Sequence, residues 1–331
     1  MCRGLKYLFF VLFVLCEALS AQEQHLIAFY NVSNLMDLYN DPLTQDDDML
    51  PNADREWTKD RYNHKLSSVA RVVANLANEG DFPTLLALAE VENKTVLEDL
   101  VAQEAIKHLR YKYVHYDSSD ERGIDVALLY RADKFRVERS LSLKPEIEQP
   151  TRDYLVVWGE LCGEPMLVIV VHLPSRIGGR GFTSVWRERC AAQLREFVDS
   201  ARIAEPKRKV IIMGDMNDTP LNRSVKQALG ATTRLKDTDI HTLYNPFGKV
   251  KGRGSMVYQD RWYQYDQIIV SSDLLSHCGL SLMQESGCSG FIFSQPYMLD
   301  ARGNPLPTYK ATEYLGGVSD HLPVYVILRR N

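Results

Sequence analysis

Near the carboxyl end of this 331-residue chain, "EYLGGVSDHLP" sets Asp320 beside His321 on a glycine-led loop, just ahead of an apolar run. A carboxylate and an imidazole are costly to bury without partners, so other polar groups should converge on them. Several stretches repeat the arrangement of a polar residue where an apolar run stops or starts. "LIAFYN" ends at Asn31, "TLLALAE" at Glu90, "MLVIVVH" at His172 and "KVIIMGDMN" at Asp215 and Asn217, while Asp266 opens "DQIIVS". Side chains at strand ends of α/β sheets project into a shared crevice, where ligands bind.

These residue types suit hydrolysis at a charged centre. Asp215 could take a proton from water while the Asn217 amide donates to a developing oxyanion, although an isolated "GD" is also an ordinary turn. His172, alone, reads as a core histidine, but Arg176 follows in the same loop, and a guanidinium fork fits phosphate oxygens. Asp125 breaks the apolar run "GIDVALLY" and is the expected partner of the His172 imidazole. Glu90 is the better oxygen ligand for a hard divalent cation, and Glu92 should face the opposite way.

The elements that must position these groups are legible as strands and helices. Runs at 26–30, 84–89, 124–130, 154–161, 166–173, 209–214, 265–271 and 323–328 are short and rich in β-branched residues. Helical periodicity marks 61–78, 96–109 and 184–201. Strands that follow one another without a helix argue for antiparallel pairs within mixed sheets. The expected fold is α/β, two mixed sheets packed face to face with helices outside. Residues 38–58 read as a long acidic surface loop and 272–312 as irregular excursions. With no linker or repeat, residues 22–331 read as one domain.

Apolar content of 45% and charged content of 25% indicate a globular chain rather than a disordered one. A net charge of −4 gives no broad cationic field for duplex nucleic acid, leaving a local patch at Arg176, Arg180, Arg187 and Arg189. The first 21 residues, with Arg3 and Lys6 before an apolar run and small residues at Ala18, Ser20 and Ala21, read as a secretory signal peptide. The bulky Leu15 before Cys16 disfavours a lipoprotein anchor, and no other stretch is long enough to span a bilayer. The protein is therefore expected to be periplasmic or secreted. Cys278 and Cys288 are the best disulfide pair in such a compartment. No obligate protein partner is indicated.

In order, "FYNVSN", "LAEVEN", "GIDVALLY", "VVHLPS", "GDMNDTP", "YDQIIVS" and "SDHLPV" resemble the endonuclease/exonuclease/phosphatase superfamily, from about Leu26 to Leu328. The resemblance implies a four-layer α/β sandwich and a metal-dependent phosphoric ester hydrolase. It makes Asn31, Glu90 and Asp320 metal ligands, His321 and His172 phosphate-contacting histidines, and Asp266 and Asp125 their carboxylate partners. Asp215 and Asn217 would position the attacking water, and Arg176 would bind substrate. The cation would be Mg2+, with Mn2+ or Ca2+ as alternatives. Ser33 departs from the pattern, because relatives commonly carry an acid there. Looser metal binding, or help from Glu90, Asp320 or Asp37, is the expected consequence. Phosphodiesters, nucleic acid among them, lead as substrates. Lipid head groups and small phosphorylated metabolites follow, and a non-catalytic binding protein is the rival reading.

Overall fold

The structure, a computed structural model, describes residues 23–76, 82–176, 180–250, 253–276 and 278–330. The leader expected over 1–21 lies outside these residues.

In chain order the strands are β1 (Gln24–Leu35), β2 (Leu85–Val91), β3 (Tyr111–His115), β4 (Asp125–Arg131), β5 (Phe135–Leu143), β6 (Tyr154–Leu161) and β7 (Glu164–His172). Next come β8 (Lys209–Asp215), β9 (Ala231–Thr232), β10 (Leu243–Tyr244), β11 (Met256–Tyr258), β12 (Arg261–Tyr263) and β13 (Asp266–Ser271). β14 (Leu280–Leu282), β15 (Phe291–Ile292), β16 (Tyr309–Lys310), β17 (Glu313–Tyr314) and β18 (Val324–Arg330) complete the set. One sheet runs β14-β18-β1-β2-β4-β3, with β15 also on β18; the other runs β5-β6-β7-β8-β13-β10-β9. Both are mixed: β1 is parallel to β2 and β7 to β8 within otherwise mainly antiparallel order.

Strand alternation sorts the apolar side chains into three layers. Ile27, Phe29, Leu85, Ala87, Val168, Val170, Ile211 and Met213 meet between the sheets. Leu26, Ala28, Leu86 and Leu88 face out against α1 (Lys59–Asn75) and α2 (Lys94–Val101). Leu167, Ile169, Val210 and Ile212 face out against α3 (Arg180–Ala204). Four layers result, as expected. Thr58 caps α1 by accepting from the Arg61 N–H, and Asn93 caps α2 through Val96.

All eight expected strands are present. The helix expected over 96–109 is shorter, because α2 stops at Val101 and a separate turn at Lys107–Leu109 follows. That break brings Ile106 back into the core that Val96, Leu97 and Leu100 fill. Residues 272–312, read as irregular, contain the short strands β14, β15 and β16. No disulfide forms between Cys278 and Cys288: they flank β14 from its two ends, and a tight turn pairs Cys288 with Glu285. Among the described residues no helix is long and apolar enough to cross a membrane.

Gly214 lies opposite Val171 in the parallel β7/β8 pair, and a Cβ there would sit 1.9 Å from the Val171 carbonyl oxygen. Gly214→Ala should therefore destabilise the protein by about 3 kcal/mol in urea unfolding, the upper range for overpacking. A cost below about 1 kcal/mol would mean that β7 and β8 are less closely paired.

Candidate active site

The middle layer ends in polar residues at one edge. His172 ends β7 with the inward parity of Val168 and Val170, and Asp215 ends β8 with that of Ile211 and Met213. Asp266 opens β13 with the parity of Ile268 and Val270. The three are in register across adjacent strands, His172 opposite Asp215 and Asp215 opposite Asp266. From the facing sheet, Asn31 continues the row of Ile27 and Phe29. Its amide nitrogen donates to Asp215 Oδ2 at 3.1 Å and to Glu90 Oε1 at 3.2 Å.

Glu90 reaches this edge through a backbone irregularity. Regular alternation would place Val91 beside Ala87 and Ala89, yet Val91 packs with Leu86 and Leu88. The reset occurs at Glu90, whose φ of 63° is left-handed and which sits at a register shift in β2. Ser33 and Asn34, at the matching irregularity of β1, both have φ of 56°. Such residues cost of order 1 kcal/mol each and persist where surrounding structure holds them. Here the Asn34 N–H donates to Glu90 Oε2 at 3.1 Å, and the Ser33 N–H to Asn31 Oδ1 at 2.9 Å.

His321 enters from the loop before β18. Its Nδ1 lies 2.7 Å from Asp266 Oδ2, which turns Nε2 toward Asp215 Oδ2, 3.9 Å away. Burial alone would lower this imidazole, but the charges of Asp266, Asp320 and Asp215 outweigh it and hold it well above its usual value. His172 is the opposite case. Burial, reinforced by Arg152, Arg122 and His321, holds it well below the usual range. Its Nε2 is 3.6 Å from Asp215 Oδ2 and 3.9 Å from Glu90 Oε1. Burial, then the Asp266 charge, raises the Asp215 carboxyl, with His321 opposing. The site thus holds one cationic and one neutral imidazole around a buried carboxylate.

Asn31, Glu90, His172, Asp215, Asp266 and His321 therefore come together, with Asn217 alongside: its N–H donates to Asp215 Oδ1 at 2.8 Å. The Asn217 amide nitrogen is engaged by the Leu173 carbonyl at 3.0 Å, so only its second hydrogen remains for an oxyanion. Asp320 stands to one side, lining a cavity of about 170 Å³ with Ser33, Asn34, Arg55 and Thr308. The Asp37 carboxylate accepts from the Tyr39 N–H and the Asn93 amide. Glu92 faces away as expected, accepting from the Asp37 N–H.

Three expectations need correction. Asp125 is not the partner of His172. It has the outward parity of Ala127 and Leu129, and its Oδ2 lies 3.3 Å from Nε2 of His115, on the same outer face. Arg176 is not available to substrate, since it grips Asp218 and the Asn217 carbonyl and lies over the Tyr265 ring. It fixes the "GDMND" turn instead. Of the arginines that could have formed a basic patch, Arg187 is buried against Asp218 and Arg189 pairs with Glu148, so among the described residues neither stands as an unpaired surface cation.

Sequence reasoning missed the cations that hold the site from behind. Arg152, buried, donates to the carbonyls of His172 and Leu173 and pairs with Asp120 at 2.9 Å. Ser319 Oγ donates to the Asn31 carbonyl at 2.7 Å and accepts the His321 N–H at 3.0 Å. Lys65, fully buried in α1, donates to the carbonyls of Ser33 and Val318 and to Thr308 Oγ1. A signal for Lys65 existed, because it falls on the apolar stripe of Tyr62, Leu66 and Val69.

The donor set suits a hard cation. Glu90 and Asp215 present carboxylate oxygens to the Asn31 side chain, and buried Asp266 Oδ1 has no hydrogen-bond partner. Asp215, Asp266 and His321 also lie close enough to share an ion. The latter two already share a hydrogen bond of 2.7 Å, while Glu90 offers its oxygens to the Asn31 amide and the Asn34 N–H.

Residues 26–330 match the Endonuclease/Exonuclease/phosphatase family, and the chain belongs to it. Its members are hydrolases acting on phosphoester bonds and depend on a divalent metal. Among solved structures, an endonuclease/exonuclease/phosphatase family protein from Bacteroides thetaiotaomicron is 18% identical (TM-score 0.58, covering 93% of this chain and 96% of that one). The mannosyl-6-phosphatase Bt3783 of the same organism is also 18% identical (TM-score 0.57, 92% and 99%). Humanized D. rerio TDP2 is 13% identical (TM-score 0.58, 92% and 98%). These likenesses concern the fold. No curated protein matches.

Burial lowers the Lys65 ammonium to about 7, with Asp320 and Glu90 opposing. Its folded pKa thus lies below the unfolded value of about 10.4, so between these limits the unfolded chain binds more protons and stability rises with pH. Unfolding free energies of wild type and Lys65→Met, followed from pH 7 to 9.5, should diverge in favour of wild type by about 1 kcal/mol per pH unit. Parallel curves would contradict a strained ammonium here.

Proposed function

We propose that this chain is an exported, divalent-metal-dependent phosphoric ester hydrolase acting on phosphodiesters, nucleic acid among them. The observation that carries the reading is the meeting of five polar strand residues from two sheets, Asn31, Glu90, His172, Asp215 and Asp266, with His321 from the loop before β18, in one buried cluster. Held by Glu90 and Asn31, with Asp320 alongside, a bound divalent cation would supply positive charge to phosphoryl oxygens.

The remaining chemistry belongs to the chain's own groups. Ionised Asp215 accepts a proton from the water that attacks phosphorus in line, with Asn217 steadying the turn that aims it. His321, kept cationic by Asp266, gives its one Nε2 proton to the leaving oxygen as that oxygen's bond to phosphorus breaks. His172, neutral, adds a hydrogen bond without adding charge, and Arg152 fixes its backbone. The leader sequence supports export.

One observation favours a second reading, a phosphomonoesterase for small metabolites. Beside Arg152, which holds the His172 carbonyl, lies a cavity of about 410 Å³, lined by Asp120, Arg122, Thr151, Ser175 and Trp186 among others, roomy enough for a sugar.

A substrate panel separates these readings. With Mg2+ or Mn2+ the protein should cleave bis-nitrophenyl phosphate and plasmid DNA faster than nitrophenyl phosphate or sugar phosphates. His321→Ala and Asp215→Asn should each lower kcat by about 100-fold or more. Preference for the monoesters would select the second reading. Equal background turnover by wild type and both variants would remove the enzymatic one, and recovery of only uncleaved chain from cells would remove export.

A further inference from the structure

The middle layer has a second polar end. β1 and β7 both run toward the active site, and at their opposite ends lie His25, one residue into β1, and Cys162, just before β7. Six and ten residues of strand separate these from Asn31 and His172, or roughly 20–30 Å at about 3.3 Å per residue. His25 has the inward parity of Ile27 and Phe29 and is 1% exposed. Cys162 packs against the same inter-sheet core.

We propose that Glu23, His25 and Cys162 form a second cation site, for a divalent ion of the zinc class. His25 Nε2 lies 2.9 Å from Cys162 Sγ and 3.7 Å from Glu23 Oε1, and Cys162 Sγ lies 3.5 Å from Glu23 Oε2. Tetrahedral zinc, with bonds of about 2.3 Å to sulfur and about 2.1 Å to nitrogen or oxygen, sets its ligands roughly 3.4–3.6 Å apart. To fit, the His25–Cys162 pair must open by about 0.6 Å and the Glu23 carboxylate must turn one oxygen toward both. Thr84 Oγ1, 3.2 Å from His25 Nδ1, can accept that ring hydrogen and leave the Nε2 lone pair facing the other two donors.

Sulfur and imidazole nitrogen exclude magnesium and calcium as preferred ions and select zinc-like ones. On binding, the Cys162 thiol gives its proton to solvent, and water completes the fourth position. Lys134, 2.9 Å from Glu23 Oε1, leaves Oε2 on the Cys162 side. Cys162 and Gly163 form the two-residue turn between β6 and β7, both with positive φ, where asparagine, aspartate or glycine is usual. A cysteine in that place gains its reason from the ligand. The ion would join β1 of one sheet to the β6–β7 hairpin of the other, closing the end of the sandwich opposite the catalytic one.

Cobalt titration of the purified, metal-stripped protein tests this, because a thiolate bound to Co2+ gives a near-ultraviolet charge-transfer band that oxygen ligands do not. One equivalent should saturate the band in wild type and in Glu90→Gln. Cys162→Ser should abolish it, and Glu23→Gln should weaken binding at least tenfold. Zn2+ should raise the Tm of wild type but not of Cys162→Ser. A band absent from wild type, retained in Cys162→Ser or unchanged in Glu23→Gln would overturn the site.

Discussion

A single row of side chains across three neighbouring strands, His172, Asp215 and Asp266, governs this molecule. The hydrogen-bonded register of β7, β8 and β13 fixes their spacing, and strand alternation turns all three into the space between the sheets. A slip of one residue in β8 would send Asp215 out toward α3 and bring Gly214 inward. Sheet packing then delivers Asn31 from the facing β1, close enough to bond Asp215 directly. The geometry of the candidate site is thus a consequence of ladder register and sheet stacking, with the loops supplying His321, Asn217 and Asp320.

Placing these charges at the end of an apolar core has an energetic cost that the surrounding structure offsets. Asp215 and Asp266 are buried, and the charge they concentrate is balanced by the His321 imidazolium and by what the family's metal dependence implies. Behind this cluster stand buried cations that touch backbone rather than substrate. Arg152 holds the carbonyls after β7, Arg187 and Arg176 hold the "GDMND" turn through Asp218, and Lys65 ties α1 to the loops around Ser33 and Val318. Removing any of them would leave a buried partner unsatisfied, which is costlier than losing an exposed ion pair.

The central strands and most of the site were legible because they announce themselves locally. Eight apolar β-branched runs became eight strands, and polar residues at their ends became the cluster. What failed was long-range parity. Residue type pairs Asp125 with His172, yet counting along β4 from Ala127 and Leu129 shows that it faces outward. The Arg176 guanidinium suits phosphate by type, whereas its partner, Asp218, lies across a fold no local signal reveals. β5, "FRVERSLSL", escaped notice because an edge strand with one exposed face carries too few apolar residues to stand out. The apolar stripe marks Lys65 as buried but not which carbonyls it meets, and the carbonyls of His172 and Leu173 that Arg152 holds leave no trace in sequence.

Anomalous diffraction from crystals soaked in Mn2+ tests the account most directly. A single strong peak within coordinating distance of Glu90 and the Asn31 side chain, between the two sheets and beside the His172–Asp215–Asp266 row, is the result it predicts. A peak bound elsewhere, with none at Glu90 under saturating Mn2+, would contradict it.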